Sequence, residues 1–92
     1  MVPIHPGRIL RRELQARQLS ANALARALRV PSGRIVDILN GKRSVTAETA
    51  LRLGRYFGNA PQFWINLQAH YDLAVAMRDI GSLVKREVQT AA

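Results

Sequence analysis

The chain contains no cysteine, which excludes a disulfide framework, a thiolate nucleophile and a cysteine metal site together. Its apolar runs are only a few residues long, too short to span a bilayer. The opening Met1-Val2-Pro3-Ile4-His5-Pro6 has no apolar stretch of the kind a secretory signal needs, so a cytoplasmic protein without a membrane role is expected. His5 and His70 lie far apart with no paired carboxylates near them, which argues against a metal site. Carboxylates are scarce and show no acid/base pairing, and there is neither a Ser/His/Asp arrangement nor a glycine-rich phosphate loop. An enzyme is therefore the least favoured class, and no cofactor is expected. Low-complexity and Pro/Gly/Ser-rich segments are absent too, so the 92 residues read as one small folded domain. A core of that size is modest, and self-association is expected to add to its stability.

What the chain does have is positive charge, formally +8, and it is unevenly placed. Between residues 8 and 55 there are eleven basic side chains against Glu13, Asp37 and Glu48. From residue 56 onward Arg78, Lys85 and Arg86 balance Asp72, Asp79 and Glu87. A basic first part joined to a neutral, aromatic second part suggests a polyanion-binding head and a packing or association tail. A merely solvated basic surface is the alternative, and charge alone does not separate the two.

Apolar spacing predicts five helices, an all-α fold. The first opens at Pro6-Gly7, carries Ile9, Leu10 and Leu14, and ends near Arg17-Gln18. Ser20 suits an N-cap, and the helix behind it carries Leu24, Ala25 and Leu28. Pro31 fits the first position of a third helix, which buries Ile35, Ile38 and Leu39 and stops at Asn40-Gly41. Thr46 caps a fourth, with Ala47, Ala50, Leu51, Gly54 and Phe57 on one face and Glu48 placed to pair with Arg52. After Gly58-Asn59-Ala60-Pro61 a fifth carries the stripe Phe63, Trp64, Leu67, Tyr71, Ala74 and Met77. An aromatic stripe at helical spacing packs more often than it cages a ligand, so Phe63, Trp64, Leu67 and Tyr71 are read as core and dimer contacts. Residues 1–77 thus form the expected domain and 78–92 a tail, interrupted at Gly81, whose apolar part suits a short helix, a strand or a frayed end alike.

Residues 21–40 have the pattern of a helix-turn-helix. Ala25 supplies the small residue where two steeply crossed helices meet, and Leu28, Val30, Ile35 and Ile38 fill the inner positions. The turn residue that adopts a left-handed conformation, usually glycine, is here Arg29, at a cost on the order of 1 kcal/mol. In such a unit the start of the second helix faces base edges in the major groove. Those residues are Ser32, Arg34 and Asp37, with Arg34 the best suited to a bidentate guanine contact. Asp37 either accepts from a cytosine amino group or orients Arg34. Ser20 and Asn22 at the preceding helix start, and Lys42 and Arg43 after the reading helix, are placed for phosphates. Lys42 and Arg43 also admit a reading as simple loop charges, and Arg52 and Arg55 as a solvated face.

His5-Pro6-Gly7, Leu19-Ser20, Asn40-Gly41-Lys42-Arg43, Thr46 to Leu53 and Pro61-Gln62-Phe63-Trp64-Ile65-Asn66-Leu67-Gln68 followed by Tyr71-Asp72-Leu73 together resemble the HigA antitoxins, a group that also carries the name virulence-associated protein I. The resemblance spans about residues 5–77, within the Xre/Cro-like helix-turn-helix group. It implies a five-helix lambda-repressor-like fold with a short C-terminal extension. It also implies a homodimer that binds a palindromic operator in its own promoter and neutralises a small HigB-type ribonuclease toxin, which cleaves mRNA on the ribosome. The sequence departs from the family in two respects: Ala21 stands where glutamine is usual, and Arg8, Arg11 and Arg12 stand where acidic residues are frequent. A stand-alone repressor of the same fold is the alternative function, and a protein-interaction module built on the fifth helix and the tail is a third.

Overall fold

The computed structural model describes residues 2–91, and all regular structure among them is helical. Five helices follow in order: α1 (Pro6–Arg17), α2 (Ala21–Leu28), α3 (Ser32–Leu39), α4 (Ala47–Phe57) and α5 (Pro61–Glu87). The outermost residues of the two expected units, 1 and 92, lie outside the described residues. None of these helices is long and apolar enough to cross a membrane.

Local chemistry explains where each helix begins. His5 caps α1, its Nδ1 accepting the Gly7 N–H at 2.9 Å, and Pro6 takes the first position, where a missing N–H loses nothing. The Ser20 hydroxyl accepts from Ala23 N–H at 3.0 Å, and Thr46 Oγ1 accepts from Thr49 N–H at 3.4 Å. Pro31 is the cap residue of α3 rather than its first helical residue: its ψ of 143° is extended, so the helix starts at Ser32. Gly7 is where α1 crosses α3, because a Cβ there would run into the Ile38 carbonyl.

Leu10, Leu14, Leu24, Ala25, Leu28, Ile35, Ile38, Val45, Ala50, Leu53 and Trp64 form one buried cluster. The inner face of α4 differs from the expected one. Thr49, Ala50, Leu53 and Gly54 are buried, whereas Leu51 is 61% exposed and Ala47 is exposed. Gly54 belongs to both faces, and a Cβ on it would lie 2.7 Å from the Asn59 carbonyl oxygen, so α4 packs close against the turn before α5. Trp64 Nε1 donates to Asn59 Oδ1 at 3.0 Å, which ties the buried indole to the same turn. Gln68 is buried as well, its Oε1 accepting the Val45 N–H at 2.8 Å while its Nε2 donates to Asp72 at 2.9 Å. The loop before α4 is thereby fastened to α5.

No interruption occurs at Gly81, because α5 runs on as a helix to Glu87. A single helical glycine costs about 1 kcal/mol relative to alanine and does not by itself stop a helix. Only the first half of α5 is in the core, through Trp64, Gln68 and Ala74. The rest projects, which gives extents of 51 × 22 × 22 Å and a radius of gyration of 15.8 Å. A sphere-like domain of this length would have about 12 Å.

Candidate nucleic-acid interface

The turn between α2 and α3 sets the angle at which α3 leaves the body. Arg29 closes α2 with φ 62° and ψ 43°, the left-handed region. Its N–H donates to Arg26 O at 3.2 Å, and the next N–H, of Val30, donates to Ala25 O at 3.0 Å. These bonds satisfy carbonyls that a helix end leaves open and turn the chain sharply into Pro31. Ile35 and Ile38 then face the core with no exposure. The opposite face of α3 presents Ser32, Gly33 and Val36 to solvent, with Arg34 and Asp37 at its margins. The backbone at Gly33 is open, with nothing within 4 Å of where a Cβ would stand.

Charge on this face is arranged in pairs. Asp37 is paired with Arg43, Oδ2 to Nη2 at 3.7 Å, and not with Arg34. Arg34 is held instead by Glu48 of α4, Nη1 to Oε1 at 3.4 Å, and its side chain is only 24% exposed. The second oxygen of Glu48 accepts from Arg52 Nε at 3.1 Å, the pairing expected from their spacing. Arg52 in turn donates from Nη1 to the Leu28 carbonyl at 2.9 Å, closing the end of α2. Sequence spacing pointed to Glu48 and Arg52 and missed Arg34, fourteen residues from Glu48, because that contact crosses between helices.

All three carboxylates between residues 8 and 55 are occupied by arginines, Glu13 by Arg17 at 3.2 Å. Arg8, Arg11, Arg12, Arg26, Arg29, Lys42 and Arg55 have no carboxylate within 4.0 Å among the described residues. The positive excess is therefore not neutralised within the chain. Arg11 reaches from α1 to the end of α3, with Nη2 3.3 Å from Leu39 O and 3.4 Å from Asn40 Oδ1.

The chain matches the helix-turn-helix family model over residues 10–64. It is 52% identical to virulence-associated protein I of Dichelobacter nodosus, over 90% of this chain and 78% of that protein. An addiction module antidote protein of the HigA family from Coxiella burnetii has a TM-score of 0.96 and 49% identity, over 99% of this chain and 100% of that one. Pseudomonas aeruginosa antitoxin HigA, solved with the higBA promoter, also has a TM-score of 0.96, with 44% identity over 99% of this chain and 100% of that one. This chain belongs to the HigA family of helix-turn-helix antitoxins.

In this HigA-family chain the residues expected to grip phosphate fall in two places. Ser20 and the exposed Asn22 stand at the start of α2, with the Ser20 hydroxyl oxygen accepting from Ala23 N–H and its own hydrogen still available. Lys42 and Arg43 lie past α3, where the Lys42 N–H donates to Asp37 O at 2.8 Å and fixes the loop. Both side chains are exposed, although Arg43 shares its charge with Asp37.

The aromatic stripe divides. Trp64 is 1% exposed and belongs to the core, whereas Phe63 is 44% exposed, its ring perpendicular to the indole with centroids 5.1 Å apart. Leu67 is half-buried against the core, and Tyr71 is half-buried with its ring 4.9 Å from His5. Farther along α5, Leu73, Met77, Ile80, Leu83 and Val84 are each between 41% and 59% exposed. The expected stripe stops at Met77, before the expected break at Gly81, whereas the spacing of residues 73, 77, 80 and 84 carries a second stripe across that glycine.

Proposed function

We propose that the protein is a homodimeric, operator-binding antitoxin that represses its own operon and neutralises a small HigB-type ribonuclease. The observation that carries this reading is its likeness, over almost the whole of both chains, to a HigA antitoxin solved with its own promoter. The unneutralised basic residues around α3 support it, since phosphate contacts supply much of the affinity in such complexes. In the complex, α3 lies in the major groove with Arg34 on a guanine edge and Ser32 beside it. Ser20, Asn22, Lys42 and Arg43 hold phosphates on either side. Asp37 acts through Arg43 as much as through a base.

The leucine, methionine, isoleucine and valine at 73, 77, 80 and 84 alternate by four, three and four residues, the repeat of a coiled-coil seam. We place the dimer contact there. Two reading helices then meet major grooves about 34 Å apart on a palindrome. The role is binding rather than catalytic, in the cytoplasm.

Anisotropy titrations with DNA from upstream of the protein's own gene test this reading. Arg34→Ala should lose about 1–3 kcal/mol and relax preference at one base pair of each half-site. Unchanged preference in that variant would remove α3 from the groove.

One observation favours a second reading, a repressor without a toxin. Arg8, Arg11 and Arg12 make the outer face of α1 cationic, a poor dock for a basic partner. Co-purification with the product of the adjacent gene separates the two.

A further inference from the structure

We propose that Glu48 is a positioning residue for base readout, holding Arg34 so that its guanidinium addresses a base edge and not the nearest phosphate. This inference rests on the reading that Arg34 is a base-contacting residue.

The argument begins with the conflict that an arginine in a DNA interface faces. A guanidinium on a flexible stem binds any phosphate oxygen within reach, and the phosphates carry no sequence information. Reading a guanine requires the same group to present two N–H donors in one plane at one depth in the groove. Something must therefore constrain the side chain before it meets DNA. Asp37, three residues along the same helix, suits that task by spacing, but it is engaged with Arg43. The constraint comes from α4.

Glu48 Oε1 lies 3.4 Å from Arg34 Nη1, and the arginine side chain is three-quarters covered. The carboxylate is itself fixed from behind, by Arg52 Nε on its other oxygen at 3.1 Å and by Arg52 Nη1 on the Leu28 carbonyl at 2.9 Å. The chain Leu28–Arg52–Glu48–Arg34 thus links the end of α2, the start of α4 and the reading face of α3. It spans the same turn that orients α3. Guanidinium has five N–H donors. With one Nη1 hydrogen directed to Glu48, the remaining donors still include two in the plane needed for guanine O6 and N7. A negative charge beside the arginine also opposes approach of a phosphate to that nitrogen, which makes the tether selective as well as steric.

A merely structural Glu48, serving α4 as a first-turn carboxylate and partner of Arg52, predicts a change in thermal stability with no change in base preference. The two roles separate in a double-mutant cycle. Duplexes are first selected from a randomised pool by the wild-type protein. Affinities for the selected duplex, its single-base variants and a scrambled duplex are then measured for wild type, Glu48→Ala, Glu48→Gln, Arg34→Ala and the double variant, with thermal melts for each. Glu48→Ala is expected to reduce the ratio of selected to scrambled affinity about tenfold. The loss should centre on the base pair whose preference Arg34→Ala also relaxes. Glu48→Gln, which keeps an acceptor and loses the charge, should restore about a third of the ratio. In the Arg34→Ala background Glu48→Ala should change the ratio less than twofold.

Equal weakening on all duplexes, an undiminished effect in the Arg34→Ala background, or a ratio unchanged by Glu48→Ala while Arg34→Ala relaxes one position would each overturn the role of Glu48. Should Arg34→Ala leave preference intact at every position, the base-reading role of Arg34 and the positioning role of Glu48 fall together.

Discussion

Gln18 and Arg29 each end a helix in the left-handed region, with φ 53° and 62°, where glycine would meet no steric resistance. At Arg29 the side chain has no carboxylate partner among the described residues that would offset the strain. Arg29→Gly should therefore stabilise the fold by about 0.5–1 kcal/mol, net of the extra freedom glycine has when unfolded. A calorimetric midpoint raised by about 2–8 °C would show it. His5 is the residue with a pH signature. Burial pushes its imidazole below the ordinary 6.5, opposed by a hydrogen bond to the Arg43 backbone and by the charge of Asp72. Its neutral Nδ1 accepts the Gly7 N–H, a bond that the protonated ring cannot accept at that nitrogen. The folded state thus binds its proton less readily than the unfolded one. This contribution is fully present above about pH 6.5 and is lost as pH falls toward the lower folded value. His5→Asn, which keeps a cap acceptor that does not titrate, should flatten the decline in melting temperature between pH 7.5 and 5.5.

At the scale of the element, all five helices were legible from caps and apolar spacing, because those signals are local, and only the length of α5 was not. Serine at 20 and threonine at 46 accept the expected N–H groups, and the turn at Arg29 closes as the motif requires without its glycine. What was not legible depended on contacts between elements. Leu53 rather than Leu51 faces inward, a tertiary fact that periodicity does not contain. Gln68 is a buried acceptor for the Val45 N–H, a role that helical spacing does not reveal. That Ser32, Arg34 and Asp37 all lie on α3 was legible from the helix pattern, but the ion-pair partners of Arg34 and Asp37 were not. The projecting half of α5 carries the clearest prediction at this scale. Ile80 is 49% exposed and makes no contribution to the buried cluster. Ile80→Lys should leave the helical signal and cooperative melting of the protomer intact while shifting the protein from dimer to monomer in analytical ultracentrifugation. Operator affinity should fall with it, since each half-site is then bound alone.

Taken whole, the molecule separates its charge from the apolar stripe proposed for association. Eleven of fourteen basic residues lie in α1 to α4 and their loops, while the projecting half of α5 holds near-equal numbers of each sign beside its apolar stripe. Binding should accordingly be steep in salt, with the logarithm of affinity falling linearly with the logarithm of salt concentration. Lys42→Ala, at an exposed site with no carboxylate partner, should reduce that slope by about 1 for each protomer engaged and weaken operator and scrambled duplex alike. A slope unchanged by the substitution would place Lys42 off the phosphate backbone.

The continuity of α5 has a consequence for the DNA itself. One unbroken rod contains both the tryptophan that anchors it in the reading domain and the stripe proposed to join two protomers, with no hinge between them. In that dimer the two reading helices keep a set phase as well as a set distance. Inserting a single base pair at the centre of the operator rotates one half-site by roughly a tenth of a turn relative to the other. A reader whose halves are joined by a flexible tether swivels to follow such a change; a pair of rods does not, so the spacer length becomes part of the sequence that is recognised.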